Sequence, residues 1–490
     1  MKPSLLPTLR IIGITLMAVS ITMVPAFVVS LICREWDIAL VFISLAGVFF
    51  LIGFSLNSAC RRNNTYNKPF RIADGLLIVI LCWISASIVG ATPYLLSGSH
   101  ISFIDAFFES CSGYTTTGAT LFTEVNHLPR GLLFWRSMTC WAGGLGIMII
   151  GIALMPALGL NGQRITLIDN HGPTLERITS KMIGTMRTIL FIYLSITLIE
   201  TVLLTLGGMT IFNGLLHSMS TVSTGGFSRY DDSIGHFDSN YIRTVILIFM
   251  ILSGISFDLY VRSVREGLRA FANNTELKVY GVIILFSCFV ITTFLLINDT
   301  YESSAETVSI SLFQTVSILT TTGFTTTDYR FWPVVCQLIL IVLMFTGACS
   351  SSPGGGVKVV RVAVALKLIR HGITMRLHPN FIESVKLNKQ VLPGDKVSGA
   401  VTLPFLFMTA LFLGALLMTL AGNPMPESFS AGLSCLCNTG NGFGGLGADS
   451  IYTQFNSFSK LTLTALMIGG RLELYAIMVM VIPKYWTKDY

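Results

Sequence analysis

From residue 11 to residue 33 the chain carries no charged side chain, and an uncharged run of that length lets one helix cross a bilayer. A signal peptide has a shorter apolar core and a small-residue cleavage site, so this run is read as an uncleaved first span. Arg34 to Asp37 make a tight turn, a second span covers residues 38–60, and Arg61, Arg62, Lys68 and Arg71 follow on the cytoplasmic side. The rest of the chain has the same character. Of 490 residues, 52% are apolar and only 12% are charged, with a mean hydropathy of +0.71. Soluble domains carry about 25% charged residues, so this chain cannot coat a water-facing globule. A soluble enzyme, a disordered scaffold and a disulfide-rich secreted fold are all disfavoured. At roughly 30–50 residues per span and connection, the length holds about ten membrane helices.

The net charge of +7 (32 basic against 25 acidic side chains) is read as Lys and Arg of cytoplasmic loops, with no nucleic-acid partner. Ten cysteines are scattered, most of them in apolar runs. Cys435 and Cys437 form a CxC with no second Cys or His pair nearby, so they are read as packing residues rather than zinc ligands.

After the first two spans one pattern recurs four times: a long apolar helix, an apolar stretch too short to span, a Thr/Gly-rich turn, and a second long helix. In the first copy these are residues 73–97, 103–114, the turn Thr115-Thr116-Thr117-Gly118-Ala119-Thr120, and 131–158. The other turns are Ser223-Thr224-Gly225-Gly226-Phe227-Ser228, Thr320-Thr321-Thr322-Gly323-Phe324-Thr325 and Cys437-Asn438-Thr439-Gly440-Asn441-Gly442. Aligned on Gly118, Gly226, Gly323 and Gly440, the copies are spaced by 108, 97 and 117 residues. Positions not used for that alignment then match. Six residues before the glycine stand Ser112, Ser220, Ser317 and Ser434; eleven before stand Phe107, Leu215, Leu312 and Phe429. Two before stand the small hydrogen-bonding residues Thr116, Thr224, Thr321 and Asn438. The repeats divide the chain into a helix pair (1–70) and four units, 71–160, 161–272, 273–395 and 396–490.

Loop charges set the orientation. With the first residue inside and ten spans, 24 of 32 Lys and Arg fall inside and seven outside (Arg34, Arg130, Arg136, Arg229, Arg243, Arg330, Lys460), with Arg471 in a span. Fourteen of 25 acids fall outside, which gives the outer mouth a negative bias that concentrates cations.

Non-helical backbone at membrane depth is tolerated only inside protein or along a watery cavity, so four such turns point to a common axis. Carbonyls arranged around that axis replace the hydration shell of a monovalent cation. Glycine permits positive φ and close backbone approach there, and the C-terminal ends of the half-helices favour a cation. The competing reading is that the turns are only the ends of re-entrant packing elements.

This order of span, half-helix, T-x-G turn and span resembles the Trk/Ktr/HKT superfamily of cation transporters over essentially the whole chain. The leading helix pair is similar to the TrkH/TrkG branch. The resemblance implies an all-α polytopic membrane fold, with four helix–half-helix–filter turn–helix repeats around a pseudo-four-fold pore plus two N-terminal spans. It implies potassium as the transported and bound ion, with one path per subunit and subunits paired as a homodimer. A cytosolic nucleotide-binding regulatory subunit of the TrkA type and a bacterial cytoplasmic (inner) membrane, with both termini cytoplasmic, are implied as well. Carried over by position, the filter carbonyls belong to Thr116 and Thr117, Thr224 and Gly225, Thr321 and Thr322, and Asn438 and Thr439. Gly118, Gly226, Gly323 and Gly440 supply the flexible elements. Serine at the first glycine position is associated with sodium transport in the HKT branch, so glycine at all four implies potassium. Asn441 stands where the bacterial branch often has proline.

Two features lie below the turns. In the third unit the second helix, starting near Trp332, is interrupted at residues 347–356, where proline and a glycine triplet cannot sustain a helix interior. This segment reads as a kink or packing notch, or, by the resemblance, as an intramembrane gating loop containing Gly347, Ser350, Ser351, Gly354, Gly355 and Gly356. It lacks the spacing of a P-loop. Arg471 lies in the last apolar helix, where a guanidinium costs at least about 2.5 kcal/mol, so it faces a pore or a partner. An ion pair with Glu473 or Glu200 is the plain alternative, and the resemblance favours a pore-facing electrostatic barrier. Asp258, four residues before Arg262, reads as a helix-end salt bridge. Asp105 and Glu109 read either as outer-field charges or as caps and hydrogen bonders behind the turns, and His217 as a satisfied polar contact. The basic residues Lys367, Arg370, His371, Arg376, Lys386, Lys389 and Lys396 form a cytoplasmic stretch that meets lipid headgroups, an acidic partner or solvent. A secondary transporter with broken helices and a membrane-embedded enzyme are the other function classes. Four copies of one motif favour an axial filter, and the histidines form no catalytic pattern. Coupling of the flux to protons or sodium (symport) stays open.

Overall fold

The structure is a computed structural model that describes residues 5–62, 72–98, 101–154, 175–378, 386–388, 390–392, 394–443, 452–474 and 476–478. Both termini, the unit boundaries at 70/71 and 160/161, His171, Lys389 and Asp449 lie outside these residues. The described chain is all-helical apart from a two-strand hairpin, β1 (Lys386–Leu387) and β2 (Gln390–Val391).

The N-terminal pair is α1 (Leu5–Ile32) and α2 (Trp36–Arg62). The first repeat is α3 (Ile72–Leu96), the half-helix α4 (Phe103–Tyr114) and α5 (Arg130–Leu154). The second is α6 (Leu175–Leu206), the half-helix α7 (Ile211–Val222), α8 (Asn240–Gly254), α9 (Phe257–Glu266) and the single turn α10 (Arg269–Ala272). The third is α11 (Thr275–Ile297), the half-helix α12 (Ser304–Leu319), α13 (Val334–Thr346) and α14 (Val359–Leu377). The fourth is α15 (Gly394–Leu420), the half-helix α16 (Met425–Leu436) and α17 (Ser457–Arg471).

Seven of these helices are long and apolar enough to cross a membrane: α1, α2, α3, α5, α6, α11 and α15. The other three of the expected ten are the second helices of repeats two, three and four, and each is broken. α8 and α9 meet at 84°. α13 stops at Thr346, and α17 ends at Arg471, where Glu473 and Leu474 take positive φ. The sequence showed only the middle one of these breaks. It also placed Arg471 inside a helix, whereas it is the last helical residue, with its cation at the favourable end of the dipole.

Half-helices of 12 residues rise about 18 Å at 1.5 Å per residue, well short of a bilayer core of about 30 Å. The first two begin at side-chain caps: Ser102 Oγ accepts from Asp105 N–H at 3.2 Å, and Thr210 Oγ1 accepts from Asn213 N–H at 3.3 Å. Each half-helix is held between the two flanking helices of its own repeat and is also packed by the second helix of the preceding repeat, in a fixed order. α5 packs on α7, α8 on α12, α13 on α16, and α17 on α4. That cycle closes on itself, so the four repeats form a ring. The N-terminal pair packs outside the ring against α3 and α5, where Glu35 accepts from the N–H groups of Arg130 and Gly131 (2.7 and 3.0 Å) and caps α5.

Candidate functional site

Each half-helix ends in the same backbone motif. The residue two before the reference glycine is left-handed in all four copies: Thr116 (φ 54°), Thr224 (54°), Thr321 (57°) and Asn438 (54°). Its N–H bonds the carbonyl three residues back, and the next N–H bonds the serine carbonyl five residues back. These second bonds are Thr117 to Ser112 (2.8 Å), Gly225 to Ser220 (2.8 Å), Thr322 to Ser317 (2.9 Å) and Thr439 to Ser434 (3.0 Å). This is a Schellman cap, with threonine or asparagine where glycine is usual. The serine recurring six residues before the glycine is therefore the carbonyl that receives the cap. A β-branched residue in this conformation costs about 1–2 kcal/mol, so three threonines held there mark a backbone fixed by its surroundings.

The glycines are left-handed too: Gly118 (83°), Gly226 (68°), Gly323 (77°) and Gly440 (84°). What a Cβ would strike at each one shows how the turns meet. At Gly118 it would strike the carbonyl oxygen of Gly225, and at Gly226 that of Thr322. At Gly323 it would strike Thr439 O, and at Gly440 it would strike Thr117 O. Every glycine packs on the carbonyl preceding the glycine of the next repeat, and the fourth returns to the first. The twelve residues singled out in the four turns are thus brought to one centre. Asn438 adds a side-chain link across the last seam, donating from Nδ2 to Thr117 Oγ1 at 3.0 Å. Asn441 is buried, and its Oδ1 lies 3.3 Å from where a Gly323 Cβ would stand.

On the side away from the half-helices, a cavity of about 50 Å³ is lined by Gly118, Gly226, Gly323, Arg136, Phe227 and Asp231, with room for a few waters. Glu109 is fully buried behind the first turn. It meets Arg136 Nε at 2.9 Å and accepts from Leu121 N–H at 2.9 Å and Thr120 Oγ1 at 3.0 Å. Arg136 in turn stacks over the Phe227 ring at 4.2 Å, tying the first turn to the second. Asp105 bonds Lys460 at 2.6 Å and Ser102, so it ties the start of the first half-helix to α17, while Glu109 braces the first turn. His217 has both ring nitrogens engaged, with Asn213 O and Ser228 Oγ. Farther out, burial pushes the Asp328 carboxyl up, but the hydrogen bonds and charge of Arg330 at 2.6 Å outweigh it and hold it below the usual range. That negative charge therefore persists to lower pH than on a free aspartate. Removing one partner of a buried ion pair costs about 3–5 kcal/mol. Glu109→Gln is thus expected to lower the thermal midpoint of the solubilised protein clearly, and an unchanged midpoint would show the pair to be dispensable.

Beneath the turns, residues 347–358 fold into the space under the third and fourth repeats. Gly355 N–H donates to Thr321 Oγ1 at 2.7 Å, while a Cβ on Gly354 would stand 2.9 Å from Thr320 O and one on Gly355 would strike Cys437 O. Gly347 and Gly356 are left-handed at the two ends, as is Ser351 within. Arg471, 5% exposed, donates through Nη1 to Pro353 O, and its Nε and Nη2 have no hydrogen-bond partner among the described residues. Neither acid weighed against it is its partner. Glu473 pairs with Arg361 at 2.5 Å, and the buried Glu200 lies beside Thr221 rather than Arg471. The expected Asp258–Arg262 bridge is also missing among the described residues, although both stand on α9. Sequence reasoning missed Lys358, a buried cation inside the loop whose Nζ donates to Gly354 O, and Glu276, which accepts from Ser350.

The fold and site define a polytopic helical membrane protein with four half-helix turns closed around one centre. A family model described as a cation transport protein, TrkH, matches residues 43–488. The chain belongs to the TrkH family. The Trk system potassium uptake protein TrkH of Escherichia coli K12 is 34% identical, over 98% of this chain and 99% of that one. The protein of the same name from Vibrio parahaemolyticus is 32% identical, over 98% of each. The crystal structure of the potassium transporter TrkH from Vibrio parahaemolyticus superposes with a TM-score of 0.90 at 30% identity, covering 99% of this chain and 100% of that one. These relatives are named as transporters, not enzymes.

Proposed function

We propose that this chain carries potassium, as its relatives' names say of them, and that it does so across a bacterial inner membrane. The ion sheds its water onto the carbonyls of Thr116 and Thr117, Thr224 and Gly225, Thr321 and Thr322, and Asn438 and Thr439. The observation that carries this reading is the closed cycle of glycine-on-carbonyl contacts among the four turns. Carbonyl oxygens held around one axis replace a hydration shell, and the negative C-terminal ends of four half-helices aim at the same point. The fixed left-handed backbone at Thr116, Thr224, Thr321 and Asn438 keeps those oxygens from collapsing onto a smaller ion. The loop at 347–358 and the Arg471 cation form the gate, under a cytosolic nucleotide-binding subunit, and two copies of the chain pair in the membrane.

Cells lacking their own potassium uptake and expressing this chain should grow at low external potassium and accumulate a rubidium tracer. Growth restored by sodium alone would refute the assigned ion.

A further inference from the structure

The loop beneath the turns is fastened to a part of the chain that neither the turns nor Arg471 explains. Glu276, in the first turn of α11 and 6% exposed, accepts from Ser350 N–H at 2.5 Å and from Ser350 Oγ at 2.8 Å. Both carboxylate oxygens are thus used on one loop residue, a charge-assisted arrangement roughly twice as strong as a neutral pair. On either side of Ser350 the backbone is tied to the bend between α8 and α9. Cys349 N–H donates to Gly254 O, and Phe257 N–H donates to Ser351 O, both at 3.1 Å. Phe257 and Glu276 are the two ends of a single connection joining the second repeat to the third. That connection reaches the hairpin as well, since Thr275 N–H, next to Glu276, donates to Asn388 Oδ1 at 2.8 Å.

We infer that Glu276 is the latch of the gate. It is a positioning residue that holds the loop under the turns through Ser350, and the connection from Phe257 to Glu276 is the lever through which force at the inner surface lifts the loop. The inference rests on the pore reading above. A buried carboxylate that loses both partners is left unsatisfied, so the latch opens only when Glu276 itself is drawn toward water or given a new donor. Movement of the hairpin or of α9 and α10 does this, because each adjoins the connection by a hydrogen bond or by the chain itself.

The test uses the full chain in inverted membrane vesicles, with Glu276→Gln, Ser350→Ala and Ser350→Thr. Two quantities are read: rubidium uptake, separated into Vmax and KM, and alkylation of Cys349 by N-ethylmaleimide, followed by peptide mass spectrometry. Cys349 is 1% exposed beside the latch and reports whether the loop has moved. Loss of a charge-assisted hydrogen bond is expected to raise Vmax roughly tenfold with KM unchanged. Cys349 alkylation should rise in parallel, and Ser350→Thr, which keeps both donors, should leave that alkylation at the parent level. Wild-type levels of alkylation in both Glu276→Gln and Ser350→Ala overturn the proposal, as does a raised KM without a raised Vmax. If the parent vesicles take up no rubidium, the pore reading falls, while the alkylation of Cys349 still decides the latch.

Discussion

Gly323→Asp is expected to abolish potassium uptake while leaving the protein in the membrane. The residue sits at φ 77°, and its Cβ would overlap the carbonyl oxygen of Thr439, the one that the proposed filter needs at that seam. Neither side of this contact is a flexible side chain, so the overlap is relieved only by moving a turn and breaking the ring. The new carboxylate also stands among carbonyls already aimed at one point, where it either repels them or traps the cation. Gly323→Ala separates the two effects. It keeps the overlap without the charge and should spoil preference for potassium over sodium before it stops flux. Gly98→Ala supplies the control, because Gly98 has the same φ of 77° with nothing within 4 Å of a Cβ. It costs about 1–2 kcal/mol of backbone strain and should leave uptake and selectivity unchanged. Tracer uptake with sodium competition checks all three, and wild-type uptake and selectivity in Gly323→Asp would remove these turns from the ion path.

The repeat was legible because its spacing of turns and its serines survive as sequence. The first half-helix, read as residues 103–114, is the observed α4 to the residue. The small polar residue in each copy stands at the cap, and a local cause leaves a local pattern; the cap uses only the backbone carbonyl of the serine and does not account for its side chain. What escaped notice depends on neighbours. The bend after Gly254 has no proline. Its signal is a change from an apolar run to the charge-bearing segment Asp258, Arg262, Arg265 and Glu266, the composition of a helix lying at an interface rather than crossing it. The end of α17 is set where Gly470 packs on Leu436 O, a contact between elements 34 residues apart. Glu109 and Arg136, 27 residues apart, could not be paired by spacing along one helix, and Glu276 and Ser350, 74 apart, still less. Left-handed threonine was not foreseen either, since intrinsic preference assigns that conformation to the glycine two residues on. The closed ring of packed turns overrides the preference at the threonine, while the glycine obeys it.

Arg471→Ala is expected to raise the rate of ion flux with little change in selectivity. The guanidinium is buried directly under the turns and bonded to the loop at Pro353 O, with Nε and Nη2 unpartnered among the described residues. In the proposed gate such a cation opposes passage in two ways, by its charge and by the tether it puts on the loop. The charge alone is considerable: two unit charges about 8 Å apart repel by about 2 kcal/mol at an effective dielectric of 20, close to a thirtyfold effect on rate. Arg471→Gln tells the two contributions apart, because an amide N–H still reaches a carbonyl but carries no charge. If repulsion dominates, Gln and Ala accelerate uptake alike and Arg471→Lys stays near the parent. If the tether dominates, Gln resembles the parent and only Ala accelerates. The neighbouring Lys358 tempers the first outcome, since its amine stays beside the adjoining carbonyl of Gly354 and limits the gain from removing one charge. Removing both charges should therefore accelerate uptake more than Arg471→Ala alone, and identical kinetics for Arg471→Ala and the parent would take the residue out of the gate.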